Sequence, residues 1–365
     1  MATSYVGLDV HSKMTQYVVQ DASGAVRSRG EVPTTGAALR QWKSRQELET
    51  GTRVALETGT MATYVARQLR DLELEPVVVD AHEVRLKAYR PRQKSDRRDA
   101  FEICDGLRRD VYRAIVHVPP VPIHLLRETL SQRRHFVRLQ SAEVNAVKHL
   151  LRASGQRNLS RNLHLASAWQ KLLGVVEDTQ LKSRIELHHE VWRAAGDQIA
   201  ILEDALNEQS QVFEADLRRL QTVPGVGPIV ALTVIASFSD AKRFPSARHA
   251  ASYAGLVPST NQSGDRDWHG HITKQGSAEL RSMLCEAAHH ACRKSNPLNP
   301  YFRSLCVRRG YKMAVVAVAH RLCRMLYAML RDQAEFDIRK LGVEVGPFEK
   351  KIVTSYRLRS RVRSK

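Results

Sequence analysis

Two aspartates, Asp96 and Asp99, stand three residues apart in RQKSDRRDAFEICDGL, residues 92–107. Basic residues surround them: Arg85, Lys87, Arg90, Arg92, Lys94, Arg97 and Arg98. Positions i and i+3 share a helix face, so the two carboxylates project together. In one reading this is a helix start. Ser95 or Asp96 caps exposed N–H groups, acids suit the positive end of the dipole, and the bases form a solvated face. In the other, the acids hold metal and the bases hold a polyphosphate. Two more carboxylates bear on the choice. Asp9 interrupts the apolar run SYVGLDV, and a carboxylate in a buried strand is costly unless paired or bound to a cation. Glu57 closes the apolar run RVALE, at a strand end where α/β sheets usually bind ligands. Taken singly, either could be a strand-end residue bonded to a loop. If the helix of Asp96 and Asp99 crosses the sheet beside the first strand, all these carboxylates converge as hard oxygen donors suited to Mg²⁺. Two such ions about 4 Å apart serve phosphodiester chemistry, activating a nucleophile and stabilising the leaving oxygen.

The elements that must position these residues follow from pattern. SYVGLDV, MTQYVVQ and AVRSRGEV read as strands joined by tight turns, the second turn being DASG. A helical stretch near 36–49, the strand RVALE, a helix near 60–72, the strand PVVVDA and two further helical stretches complete the order βββαβαβα. That order predicts a mixed sheet with helices on its faces over residues 1–120. Pro119, Pro120 and Pro122 close this segment. Beyond them, Leu126, Leu130, Arg133, Val137, Gln140, Val144, Val147 and Leu151 alternate spacings of four and three. Trp192, Ala195, Ile199, Leu202, Leu206, Gln209 and Phe213 do the same. These are heptad seams on two long helices over 121–218, either a helical hairpin within the chain or a coiled coil between copies, with Arg133 and Gln140 setting register.

The 365 residues carry a net charge of +19, an excess that points to nucleic acid. In the basic tail over 342–365, KKIVTSYRLRSRVRSK holds seven Lys or Arg among sixteen residues and no acid. It reads as an arm that orders on a phosphate backbone. Five irregularly spaced cysteines with no CxxC suit a reducing compartment. IVALTVIASF, the longest apolar run, is shorter than the ~20 residues a bilayer needs. The expected setting is the cytoplasm, associated with the nucleoid, with no membrane.

YVGLDVHSK, ALETGT and KSDRRDA stand in the order of the D-E-D-D motifs of the RuvC-like, RNase H-fold domain in the insertion-sequence 110 and 1111 transposases, and resemble them. The resemblance implies a prokaryotic DNA recombinase guided by a structured bridge RNA from its own element, acting on target and donor DNA. It implies that Asp9, Glu57, Asp96 and Asp99 bind Mg²⁺, two ions in all, and that the protein works as a homo-oligomer, dimer or tetramer. The basic residues from Arg85 to Arg98 would grip the substrate strands.

The last third adds to the likeness. LQTVPGVGPIVALTVIA places a Pro-Gly-x-Gly turn between apolar helical stretches, like a helix–hairpin–helix. Gly225 and Gly227 would let backbone N–H groups approach a phosphate, unless the turn is merely tight. The stretch from FPSARHAASYAGLVPSTNQSG through ITKQG to LR resembles the family's C-terminal transposase motif. The family's catalytic serine falls on Ser263, and Lys274 of ITKQG joins the nucleic-acid-binding set. Ser259 and Ser277 lie nearby but outside the matching position, and a threonine, Thr273, stands where serine is common before the lysine. Carboxylates and Ser263 must then meet in the assembled complex. A helical C-terminal domain is expected over 219–341. Cys285, His289 and Cys292 could be drawn as zinc ligands, but LRSMLCEAAHHACR also reads as an amphipathic helix with small residues inward. The alternatives to a serine recombinase are a RuvC-like junction-resolving endonuclease using metal-activated water, and a non-catalytic RNA- and DNA-binding protein.

Overall fold

The computed structural model describes residues 4–87, 96–263 and 266–341, with side chains described except at 96–97 and 260–269. The chain divides into two compact units at Pro119 and Pro120. In the first unit, strands β1 (Tyr5–Val10), β2 (Met14–Gln20) and β3 (Val26–Pro33) form an antiparallel meander. Strands β4 (Arg53–Glu57) and β5 (Glu75–Val79) add in parallel on the other side of β1, giving the order β3-β2-β1-β4-β5. Tight turns permit antiparallel neighbours, whereas parallel neighbours need helical crossovers. These are α1 (Gly36–Arg45) and α2 (Ala62–Asp71), followed by α3 (Ala81–Lys87) and α4 (Asp96–Arg108). Thr35 starts α1 by accepting the Ala38 N–H at 3.3 Å.

Strand alternation divides the core. Val6, Leu8, Val54, Leu56 and Val78 pack with Leu39 and Trp42 of α1 and Val65 and Leu69 of α2. On the opposite face, Ala55, Val77 and Val79 pack against Ile103 and Leu107 of α4. That sheet is covered on both sides, which is why its central strands read as almost unbroken apolar runs.

The second unit begins with α5 (Val121–Ala153), paired with α7 (Thr179–Ser210) in an antiparallel hairpin whose far end is covered by α6 (Ala166–Val175). The heptad seams meet each other within one chain. Their polar members set the register: Arg133 pairs with Glu203 at 2.7 Å, and Gln140 donates to the Trp192 carbonyl at 3.0 Å. Gln209 donates to Thr129 Oγ1 at 3.0 Å nearer the base. Ile123, Leu126, Leu130 and Leu206 at that base share one core with the helices that follow. These are α8 (Glu214–Gln221), α9 (Pro228–Phe238), α10 (Ala247–Tyr253), α11 (Ala278–His289), α12 (Asn299–Arg309) and α13 (Tyr311–Asp332).

Two findings differ from the sequence reading. The segment expected to be wholly helical contains an antiparallel hairpin, β6 (Pro258–Ser263) with β7 (Arg266–Ile272). Its residues, PSTNQS and RDWHGHI, are mostly polar in sequence, so hydropathy carries little strand signal there. Also, IVALTVIASF, though the longest apolar run, does not lie in the longest apolar helix. Helix α13 is long and apolar enough to cross a membrane. Its apolar side is spent inside the unit, where Ala314, Val318, Ala319, Leu322, Cys323 and Leu326 are almost fully buried.

Candidate active site

Asp9 lies near the C-terminal end of β1 and is only 5 % exposed. The β1–β4 register runs Tyr5 with Arg53 through Leu8 with Leu56, so one further step sets Asp9 level with Glu57. Adjacent strands are about 4.8 Å apart, and residues in register on parallel strands face the same side. Asp9 shares its face with Gly7 and Tyr5, two and four residues back, and this is the face that α4 covers.

Gly7 explains how close that helix comes. A Cβ at Gly7 would stand 2.3 Å from the Ala100 carbonyl oxygen and 2.4 Å from the Cys104 nitrogen. Only a residue without a side chain admits this approach. The Cys104 thiol donates to the Tyr5 carbonyl at 3.3 Å, while Ala100 lies over Gly7. Helix α4 therefore runs antiparallel to β1, and its first turn, with Asp96 and Asp99, arrives at the end of the sheet that bears Asp9 and Glu57. Thr58 holds the same edge together: its N–H donates to the Val79 carbonyl at 2.9 Å and its hydroxyl accepts from Ala81 N at 3.0 Å.

The acids share an edge without forming a closed cage. Among the described residues, no three Asp, Glu, His or Cys side chains are gathered as a metal site requires; the Asp96 side chain lies outside those described. Asp99 is half-buried. Asp9 Oδ2 is 3.3 Å from His11 Nε2. His11 is a site neighbour that sequence reading passed over, although its place two residues after Asp9 put it on the same side. The donor set itself, carboxylate oxygens at a sheet edge with one nearly buried, fits a hard divalent cation.

The basic candidates divide. Arg85 and Lys87 are exposed on α3. Arg98 pairs with Glu102 at 3.3 Å. Arg90, Arg92, Lys94 and the Arg97 side chain lie outside the described residues, as does the tail over 342–365. Farther along α4, Asp105, 7 % exposed, is held by Arg108 at 2.6 Å and Arg109 at 3.2 Å. Part of the positive charge on this helix is thus used within it.

Ser263 is the last residue of β6, paired across the hairpin with Arg266; its side chain is not among those described. The flanking motif residues anchor the base of the hairpin. Thr273 N donates to Val257 O at 2.9 Å, Lys274 N to Gly255 O at 3.2 Å, and Arg281 Nη1 to Ala254 O at 3.0 Å. Gly255 and Gly276 both have positive φ, and a Cβ on Gly276 would stand 2.1 Å from the Tyr253 carbonyl oxygen. AGLVP, ITKQG and LR are therefore one interlocked base for the hairpin whose first strand ends at Ser263. The nearby serines have other work: Ser259 donates to His271 O at 3.1 Å and Ser277 caps α11 at Leu280 N. Lys274 is exposed, with φ at 55°. Beside Ser277, burial raises the Glu279 carboxyl above its ordinary range while Arg134 and Arg138 oppose that shift.

The helix–hairpin–helix-like turn joins α8 to α9. Gly225 has φ of 94°, and a Cβ there would stand 2.8 Å from His290 Cβ, so this glycine serves close packing on the end of α11. Gly227 caps α9 with nothing within 4 Å of its would-be Cβ, leaving its backbone approachable. Cys285, His289 and Cys292 do not share a helix, because α11 ends at His289 and a 3-10 turn carries Cys292. His289 Nδ1 instead meets the Tyr311 hydroxyl at 2.8 Å.

Comparison with known proteins finds likenesses in both units. Residues 6–155 match the model of DEDD-type IS110 transposases, described as "Transposase". Residues 217–303 match the model described as "Transposase IS116/IS110/IS902 family". The chain is 30 % identical over 293 residues to a "Probable family 20 transposase" of Pseudomonas aeruginosa, covering 76 % of this chain and 83 % of that one. It is 27 % identical over 261 residues to the "Transposase for insertion sequence element IS1111A" of Coxiella burnetii, covering 69 % and 70 %. It is 29 % identical over 157 residues to a "Pilin gene-inverting protein" of Moraxella bovis, covering 42 % and 45 %.

Proposed function

Because the chain belongs to the IS110 family of transposases, we propose that it is an RNA-guided recombinase that cuts and rejoins DNA to insert and excise its own mobile element. Cleavage and transfer of DNA strands is the activity class of the family. The observation that supports the finer reading is the meeting of β1, β4 and the first turn of α4 at one sheet edge; on this reading Asp9, Glu57, Asp96 and Asp99 converge there. The strand order and the acids at that edge support an RNase H-like domain of the RuvC type.

Asp9, Glu57, Asp96 and Asp99 would hold two Mg²⁺ ions, which supply charge neutralisation at the scissile phosphate. The chain's own part is to gather these carboxylates when substrate strands arrive. Gly7 sets the depth at which α4 presents Asp99, and Asp9 is fixed on the central strand. In the second unit Ser263 is the nucleophile, at the end of a strand whose base is pinned by Gly255, Gly276 and Arg281. As its oxygen forms a bond to phosphorus, one strand P–O bond breaks; the serine hydroxyl gives up its proton and the departing strand oxygen takes one up to leave as a hydroxyl, so the phosphoserine ester conserves the bond and rejoining needs no external energy. A serine hydroxyl is a weak nucleophile at its ordinary pKa, so a neighbouring group must accept its proton.

A structured bridge RNA and the target and donor DNA are the partners, held by exposed residues such as Arg85, Lys87 and Lys274, by the Gly227 backbone and by the tail. Such binding weakens steeply with salt through counterion release. Assembly as a dimer or tetramer is supported by Leu187, Val191, Ala194 and Ile201, exposed along α7 on a stripe that the intrachain hairpin does not cover. The setting is the nucleoid of a prokaryotic cell.

The test is a denaturing gel of protein incubated with labelled target DNA, Mg²⁺ and RNA. The parent protein gives a shifted, protease-sensitive band. Ser263→Ala gives none, and Asp99→Ala gives none while still binding RNA. An adduct from Ser263→Ala removes the serine assignment. Strand cleavage without any adduct in the parent supports the junction-resolving reading instead, and no cleavage at all with intact binding supports a non-catalytic binder.

A further inference from the structure

The longest acid-free part of the described chain holds none of the residues given a functional role above. Between Glu286 and Asp332 there is no Asp or Glu, while nine Lys or Arg occur. Eight of them are exposed. Among the described residues Arg331 pairs with Asp332 at 2.6 Å, while Arg293, Lys294, Arg303, Arg308, Arg309, Lys312 and Arg324 form no ion pair. Elsewhere in the same unit arginines are paired, Arg133 with Glu203 at 2.7 Å, Arg218 with Glu214 at 2.5 Å and Arg339 with Asp337 at 3.1 Å. A cluster of unneutralised charges on a folded surface raises its own energy unless an anionic partner arrives.

Tyr311 stands among them, 50 % exposed, at the junction of α12 and α13. Its ring is fixed rather than loose. It stacks on His289 with centroids 5.8 Å apart and planes at 25°, and meets the Phe302 edge at 5.5 Å. Its hydroxyl is tied to His289 Nδ1 at 2.8 Å. Gly310 before it has φ of 80° and nothing within 4 Å of its would-be Cβ, so the backbone beside the ring is open on that side. A rigid half-exposed ring flanked by unpaired cations is the combination that seats an unpaired base while its phosphates lie along the charges.

We propose that the Tyr311 platform, with Arg308, Arg309 and Lys312, is a binding site for a single-stranded nucleic acid segment with one base stacked on Tyr311. The site rests only on the nucleic-acid partner of the preceding reading, not on its metal or serine chemistry. A duplex can meet the cations but cannot offer an unpaired base, so the ring discriminates between the two forms.

The experiment uses the full chain and fluorescent oligonucleotides, one single-stranded and one a duplex of the same sequence, at fixed moderate salt. A second single strand carries 2-aminopurine, whose emission falls on stacking. Replacing Tyr311 by Ala is expected to weaken single-strand binding about tenfold, as the loss of one aromatic stack implies, and to restore much of the 2-aminopurine emission. Duplex affinity should change less than twofold. Tyr311→Leu, which keeps apolar contact with Phe302, should behave like Tyr311→Ala, whereas Tyr311→Phe should retain the quench. Arg308→Ala with Arg309→Ala should weaken both forms. Equal loss for single strand and duplex in the Tyr311 variants, or no loss in either, overturns the proposal. Should the parent protein bind neither oligonucleotide at low salt, the nucleic-acid partner itself fails, an outcome distinct from parent-like binding by the variants.

Discussion

Gly7→Ala is the most direct probe of how the sheet presents α4. The added Cβ would stand 2.3 Å from a helix carbonyl oxygen, whereas ordinary contact begins at 3.4 Å, so one element must retreat by about 1 Å. The close atoms at Ala100 and Cys104 N are backbone, so no flexible side chain can absorb the clash. Overpacking of this kind costs about 1–3 kcal/mol, and the rigid neighbours put it near the upper figure. At about 4 °C per kcal/mol, the melting transition of the first unit should fall by roughly 10 °C. Helix α4 carries Asp96 and Asp99, so the same retreat moves them away from Asp9 and Glu57. A displacement of about 1 Å at a reacting centre can cost about 10²-fold in rate. The assay is strand exchange with purified protein, Mg²⁺, RNA and DNA, below the melting transition of the variant. Gly174→Ala, with open space at its would-be Cβ, is the control and should melt at or slightly above the parent temperature. A Gly7→Ala protein that melts with the parent and recombines within twofold of its rate would refute the close approach of α4 and the role given to it.

Other expectations can be checked in the same preparation. Arg133→Met leaves Glu203 without its partner inside the helical hairpin and should cost about 2 kcal/mol in denaturant unfolding, between exposed and buried ion pairs; adding Glu203→Met should recover most of it. Burial pushes the thiols of Cys104 and Cys323 up to about 12. A raised thiol pKa means less thiolate at any given pH, so iodoacetamide at pH 8 should label exposed Cys292 first, and Cys104 and Cys323 only on unfolding, as read by mass spectrometry.

Much of the first unit was legible because its signals are local. Apolar runs bounded by turn residues placed all five strands, and the spacing of Asp96 and Asp99 identified a shared helix face before any fold was known. The heptad seams likewise announced two long helices, with Arg133 and Gln140 marked as register residues. The motifs also sufficed for the family, because three short acidic signatures in order and the later AGLVP and ITKQG are linear features. What the chain could not disclose alone depends on contacts between distant residues. The α5 and α7 seams suit a partner in cis or in trans equally, since a heptad records only that an apolar face is covered. The β6–β7 hairpin stayed hidden because PSTNQS and RDWHGHI are mostly polar, so alternation left little hydropathy trace. Gly225 looked like a phosphate-facing glycine until the end of α11 was found against it, while Gly7 drew no notice inside an ordinary apolar strand. Whether a glycine serves a ligand or a neighbouring helix is decided by what occupies the space of its missing side chain, and that space exists only once the tertiary fold has formed.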